Sequence, residues 1–78
     1  MRTARKIRRF IERELLDAPI DGGDPLAAEA LDSLAIEELI THLETEYAIT
    51  FEDDDIVPDH FANLAALAAL VDGKRRAR

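Results

Sequence analysis

The sequence predicts an all-α domain, a four-helix bundle with a long first loop and a short third helix. Three observations carry this reading. Apolar residues recur at helical spacing in separate stretches, no alternating run is long enough to pair as a strand, and 78 residues suffice for one core and one domain, 1–78. With 47% apolar and 35% charged residues, the composition is that of a folded globular chain.

Each element follows from its pattern. Ile7, Phe10, Ile11 and Leu15 recur at i, i+3, i+4 and i+8, which places an amphipathic helix over 3–16 with Arg5, Arg8, Arg9 and Glu12 outward. Two prolines and two adjacent glycines between Asp17 and Pro25 then forbid both a helix and a central strand. A long loop results, pinned by Ile20, Leu26 and Leu31. Ile36, Leu39, Ile40, Leu43 and Tyr47 mark a second helix over 33–47, and Asp32-Ser33 supplies good N-cap residues for it. Ala48 to Asp55 reads as a loop with Ile49 and Phe51 inward and the acids in water. Asp55 is expected to cap a brief third helix over 56–61, with Pro58 in its first turn. Asn63 caps a last helix whose Leu64, Leu67, Ala68 and Val71 face the core, and Gly73 is expected to stop it in the left-handed C′ position.

Size and composition exclude several function classes. A core this small leaves little room for an elaborate catalytic pocket. The absence of cysteine removes disulfides, thiolate metal sites and a catalytic thiol. The longest apolar run, Leu64 to Val71, is far short of the roughly 18 residues that span a bilayer. Arg2, Arg5, Lys6, Arg8 and Arg9 resemble the start of a secretory signal, but Glu12, Glu14 and Asp17 follow where the apolar segment would be. The cytoplasm is the default location and no membrane association is expected. A calcium loop beginning at Asp53 fails, because Val57 and Pro58 occupy its fifth and sixth positions. A Ser33–His42 dyad fails too, since nine residues of helix put the two side chains about 180° apart around the axis. His42 and His60 are both expected as solvated surface residues.

The net charge of −7 conceals a segregation. Residues 14–73 contain no Lys or Arg and hold all the acids except Glu12, while the cations lie in 1–13 and 74–78, with basic tails at about 1–6 and 74–78. The acidic body disfavours nucleic acid and suits partners with basic faces. The N-terminal cations oppose the dipole of their own helix, so helix stability does not explain them.

Ser33 is the most informative position. It opens a helix, where backbone N–H groups are unsatisfied and the dipole favours an anion. A phosphodiester on its hydroxyl would lie where a phosphate is favoured; read in isolation, Asp32-Ser33 is simply an N-cap pair. The stretch Leu31-Asp32-Ser33-Leu34, followed by Glu38-Leu39-Ile40, Leu43-Glu44 and Glu46-Tyr47, resembles the Asp-Ser-Leu signature and second helix of acyl carrier proteins. Ile49, Phe51, Ile56, Phe61, Leu64 and Val71 extend the resemblance over nearly the whole chain.

The resemblance implies an acyl-carrier-like bundle that tethers acyl or aminoacyl intermediates as thioesters on a 4′-phosphopantetheine arm. It implies attachment at Ser33, flanked by Asp32 and Leu34, and candidate docking acids at Glu37, Glu38, Glu44 and Glu46. It further implies a phosphopantetheinyl transferase, an adenylating or acyl-loading enzyme and downstream acyl-processing enzymes as partners, with the chain itself non-catalytic and monomeric. Ala30 stands where fatty-acid carriers have Gly, Ala35 where they often have Asp, and Glu37 and Thr41 replace apolar residues. Peptidyl carriers usually have a Gly pair before the serine, which is also absent here. These departures imply a free-standing carrier of a specialised polyketide, nonribosomal peptide or similar pathway. Phe10, Leu43, Phe61 and Leu64 are either ordinary core or the lining of a cargo groove. The competing expectation is an unmodified acidic helical interaction domain, for which Ser33→Ala would leave function intact.

Overall fold

A computed structural model describes residues 2–16 and 23–77. Among these residues there are three α-helices and no strand. The first helix, α1, spans Arg2–Phe10 and continues as one π turn, Ile11–Leu15, closed by the Leu16 N–H donating to the Ile11 carbonyl at 2.9 Å. Ile7 and Ile11 on its inner face are completely buried, and Phe10 and Leu15 pack at the edge of the core. Ile20, expected to pin the loop, lies outside the described residues. Leu26 is buried and Leu31 packs against the core, as the loop requires.

The second helix, α2, spans Ser33–Tyr47, as its apolar period predicts. Leu39, Leu43 and Tyr47 are buried, with Ile36 and Ile40 packed beside them. It ends at Ala48, whose φ of 53° and ψ of 49° put an alanine in the left-handed conformation that glycine adopts most easily. Ala48→Gly is therefore expected to raise stability by about 0.5 kcal/mol, relief of the Cβ strain outweighing the extra unfolded-state entropy. Thermal denaturation of the two proteins measures this; a lower midpoint for the glycine variant would refute it.

The third helix, α3, spans Leu64–Ala77 and buries Leu64, Leu67, Ala68 and Val71, the face that the sequence predicts. Asn63 caps it, its side-chain oxygen accepting from the Ala66 N–H at 2.8 Å and its carbonyl from the Leu67 N–H at 3.2 Å. Gly73 does not stop the helix. A helical glycine costs about 1 kcal/mol relative to alanine, but the residues beyond it are held independently. The Lys74 ammonium contacts the Asp55 carboxylate at 2.6 Å, the Arg75 guanidinium lies 5.0 Å from the Tyr47 ring centroid, and all three cations of the last turn complement the dipole. Against α3 packs α1, tied by the Thr3 hydroxyl donating to Asp72 Oδ1 at 2.7 Å.

Between α2 and α3 the chain makes two short 3-10 turns, Asp53–Asp55 and Pro58–Phe61. The expected third helix is thus a single four-residue turn. Asp55 does not cap it; Val57 takes that position with no side-chain bond. Nor is Asp55 left in water, because it accepts from the Glu52 N–H at 2.8 Å as well as from Lys74. These contacts hold its carboxyl below the ordinary carboxylate range, the Lys74 bond contributing most and the Glu52 N–H next. A depressed carboxylate contributes stability above its unfolded-state pKa and loses it as pH falls through the folded value. Lys74→Met is expected to lower the melting temperature by about 3 °C at neutral pH, the effect of roughly 0.5 kcal/mol in a chain of this size. That difference should shrink as pH falls through and below the usual carboxylate pKa of about 4; a difference independent of pH would remove the pair from the account. His60, expected in water, is half-buried, with Nδ1 at 2.7 Å from the Asp55 carbonyl. A carbonyl only accepts, so Nδ1 carries the proton and donates.

Candidate functional site

The site begins with a cap. Asp32 has extended backbone, and its side-chain Oδ1 accepts from the Ala35 N–H at 2.8 Å while its carbonyl accepts from the Ile36 N–H at 3.0 Å. The N-cap is therefore Asp32, and Ser33 is the first helical residue. The Ser33 and Leu34 N–H groups point out of the helix end and meet no acceptor among the described residues. Ser33 is exposed and its hydroxyl has no partner there, so the hydroxyl is accessible to an external enzyme. An anion bonded to that oxygen would sit beside two free donors at the positive end of a 15-residue helix.

Leu34 is 64% exposed, an unusual position for a leucine in a chain with so little core. From Leu34, Glu38 and Thr41 follow at i+4 and i+7 on one outward stripe, with Glu37 at its edge. Together with His42 they border an open depression of about 430 Å³. The apolar centre and acidic margin of this surface suit a partner with an apolar anchor and a basic rim.

The candidate docking acids divide. Glu37 and Glu38 are exposed on the stripe beside Leu34. Glu44 is half-buried, and its carboxylate accepts from the Phe51 N–H at 2.9 Å, so it braces the chain leaving α2. Glu46 is exposed but borders a different groove, between α1 and α2. The structure thus brings together Asp32, Ser33, Leu34, Glu37 and Glu38, and it sets Glu44 and Glu46 apart.

Two positioning elements escape the sequence reading. Asp24 accepts from the Leu26 N–H at 3.0 Å and the Ala27 N–H at 3.2 Å through one oxygen, and from the Leu64 N–H at 2.9 Å through the other. One carboxylate therefore ties the loop leading into Asp32 to the start of α3. The only signal for it is an Asp before a proline in a turn, which many loops share. The second element is His42, half-buried rather than solvated, its ring stacked on Phe10 with centroids 3.7 Å apart and planes 5° from parallel.

Of the four groove candidates, Leu64 is buried core, and Leu43, also buried, lies at the floor of the α1–α2 groove. Phe61 lines a narrow cavity of about 160 Å³ with Leu31 and Ile36, and Phe10 lines the α1–α2 groove. No group of three or more His, Cys, Asp or Glu side chains among the described residues is placed to hold a metal ion. No helix among the described residues is long and apolar enough to cross a membrane.

The family model described as phosphopantetheine attachment site matches residues 5–71 of the chain. No curated protein and no solved structure gave a significant match.

Proposed function

Because the chain belongs to the phosphopantetheine-attachment family, a family of carrier proteins that bear 4′-phosphopantetheine, we propose that Ser33 is the attachment point and that α2 presents the arm to partner enzymes. The single observation that carries this reading is the exposed Ser33 hydroxyl, without a partner among the described residues, at the open N-terminus of α2, with Asp32 rather than Ser33 serving as cap. When bound, the group supplies a thiol that holds acyl or aminoacyl cargo as a thioester. The residues present fit it. Ser33 offers the oxygen, the free N–H groups of Ser33 and Leu34 and the helix dipole favour the phosphate, and exposed Leu34 leaves the approach clear.

The chain's own task is to hold that oxygen at the surface and to orient the partner. Glu37 and Glu38 are the acids placed to steer a basic partner towards Ser33, and Leu34 is the apolar anchor between them and the attachment point. A tethered intermediate has a raised effective concentration at each partner, which is how a domain without a catalytic pocket takes part in chemistry. The loading enzyme, the transferase and the enzymes that act on the cargo are its partners, and a monomer leaves α2 open to each in turn. Glu37 and Thr41, in place of apolar residues, favour a specialised pathway with aminoacyl or short-chain cargo, carried out in the cytoplasm.

The test is intact mass after incubation with coenzyme A and a broad-specificity phosphopantetheinyl transferase, followed by peptide mapping. One phosphopantetheine on the peptide containing Ser33 is the expected result. An unchanged mass in a sample shown to be folded by circular dichroism would overturn the proposal in favour of an unmodified interaction domain. The charge-reversed pair Glu37→Lys, Glu38→Lys should lower kcat/KM for this transfer by about tenfold through slower encounter, an effect that rising salt diminishes. Equal rates for both proteins at low salt would remove these two acids from the docking face.

A further inference from the structure

We propose that the groove between α1 and α2 is a second docking surface that takes an acidic helix of a partner protein. The proposal rests on the carrier reading only for the claim that a partner sits on α2. Arg2, Arg5, Lys6, Arg9 and Arg13 fall within an arc of about 100° on α1 at roughly 100° per residue. All five are exposed, and among the described residues no carboxylate lies within ion-pair distance of any of them. This arrangement works against the helix that bears it. Arg2–Lys6, Arg5–Arg9 and Arg9–Arg13 are like-charge pairs at i, i+4, and the cations at the helix start oppose the dipole. Among the described residues the stripe is uncompensated, although the chain has 17 acids. The stripe is available to a carboxylate from outside.

The groove beside the stripe has the shape for such a guest. It holds about 430 Å³; Lys6, Arg9 and Arg13 stand on its rim, and Phe10, Leu43 and the stacked His42 belong to its lining. An acidic helix with a short apolar edge would place that edge on the rings and its carboxylates against the cations. His42 also borders the depression beside Leu34, so the groove adjoins the proposed α2 face at that residue. A partner reaching across His42 would meet acids near Ser33 and cations on α1. Its own surface must then be basic at one end and acidic at the other.

An extended polyanion is a poorer occupant. Glu14 and Glu46 interrupt the same groove, and a lipid surface or a duplex would press phosphates against them. A second copy is also disfavoured, because its acidic α2 face would be the docking part, covering Ser33 in a contact that does not close.

The test uses the full chain, labelled with ¹⁵N, and a short amphipathic helical peptide with a leucine edge and a glutamate stripe. Despite the net negative charge of both molecules, amide shifts are expected at Lys6 to Arg13 and around His42. Binding should weaken by about tenfold or more in the triple variant Lys6→Glu, Arg9→Glu, Arg13→Glu, fall at high salt in the unaltered protein, and vanish with a glutamine version of the peptide. No shift at millimolar peptide, or equal binding by the triple variant, would overturn the proposal. So would retention on phosphatidylglycerol vesicles or duplex DNA without peptide binding, or sedimentation showing that the chain occupies its own groove. The mass gain at Ser33, measured on the unaltered chain, reports the carrier reading separately, so either proposal can fail while the other stands.

Discussion

Asp24→Ala is expected to lower stability by about 2–3 kcal/mol, a large share of the roughly 4–12 kcal/mol available to 78 residues. Three N–H groups lose their acceptor at once: Leu26 and Ala27 in the turn after Asp24, and Leu64 at the first turn of α3. Bonds to a charged acceptor are each worth more than neutral ones, but this site is only partly buried, so the sum stays below three full contributions. The variant also loses a negative charge at the N-terminus of α3, where the dipole favours one. At about 4–8 °C per kcal/mol, the melting temperature should fall by roughly 10–20 °C. Asp24→Asn keeps one acceptor oxygen and should fall in between. A drop of less than about 3 °C for alanine would mean that the tie does not form in solution. The consequence reaches the site, because the chain from Asp24 to Leu31 leads directly into the Asp32 cap.

That tie marks the boundary of what the sequence discloses. The α2 limits, its inward face and the α3 inward face were legible because periodicity records which side of a helix meets a core. The place of Ser33 at the start of α2 was legible for a related reason, since a helix start is announced by cap chemistry in a few adjacent residues. Asp24 was not, because its partner Leu64 is forty residues away and local pattern carries no information about that distance. The end of α3 was misread on the same ground. Gly73 is a local stop signal, and contacts to Asp55 and Tyr47 from elsewhere in the chain override it. Glu44 shows the converse within the site: its type and spacing suit a docking acid, yet its bond to Phe51 N–H gives it structural work. The neighbouring acids Glu37 and Glu38 have no such bond among the described residues and stay exposed beside Leu34.

Ser33→Ala is expected to abolish phosphopantetheine transfer while leaving stability within about 0.5 kcal/mol of the unaltered chain. The two halves of this expectation have different causes. Stability holds because the cap is Asp32: the bonds to Ala35 and Ile36 N–H do not involve the Ser33 hydroxyl, and alanine is the better helix former at an exposed first position. Transfer is lost because no other hydroxyl occupies that place, and neither threonine of α2, Thr41 or Thr45, lies at its N-terminal end. Asp32→Ala should behave in the opposite sense, costing about 1 kcal/mol of stability through the missing cap while the hydroxyl proposed to receive the group remains. Measured together by intact mass and thermal denaturation, the pair separates a residue that holds the helix end from one that uses it. Retained mass gain in Ser33→Ala would move the attachment elsewhere in the chain. A loss of several kcal/mol in that variant would mean that the serine, not the aspartate, closes the helix, and would return Ser33 to the role of an ordinary cap.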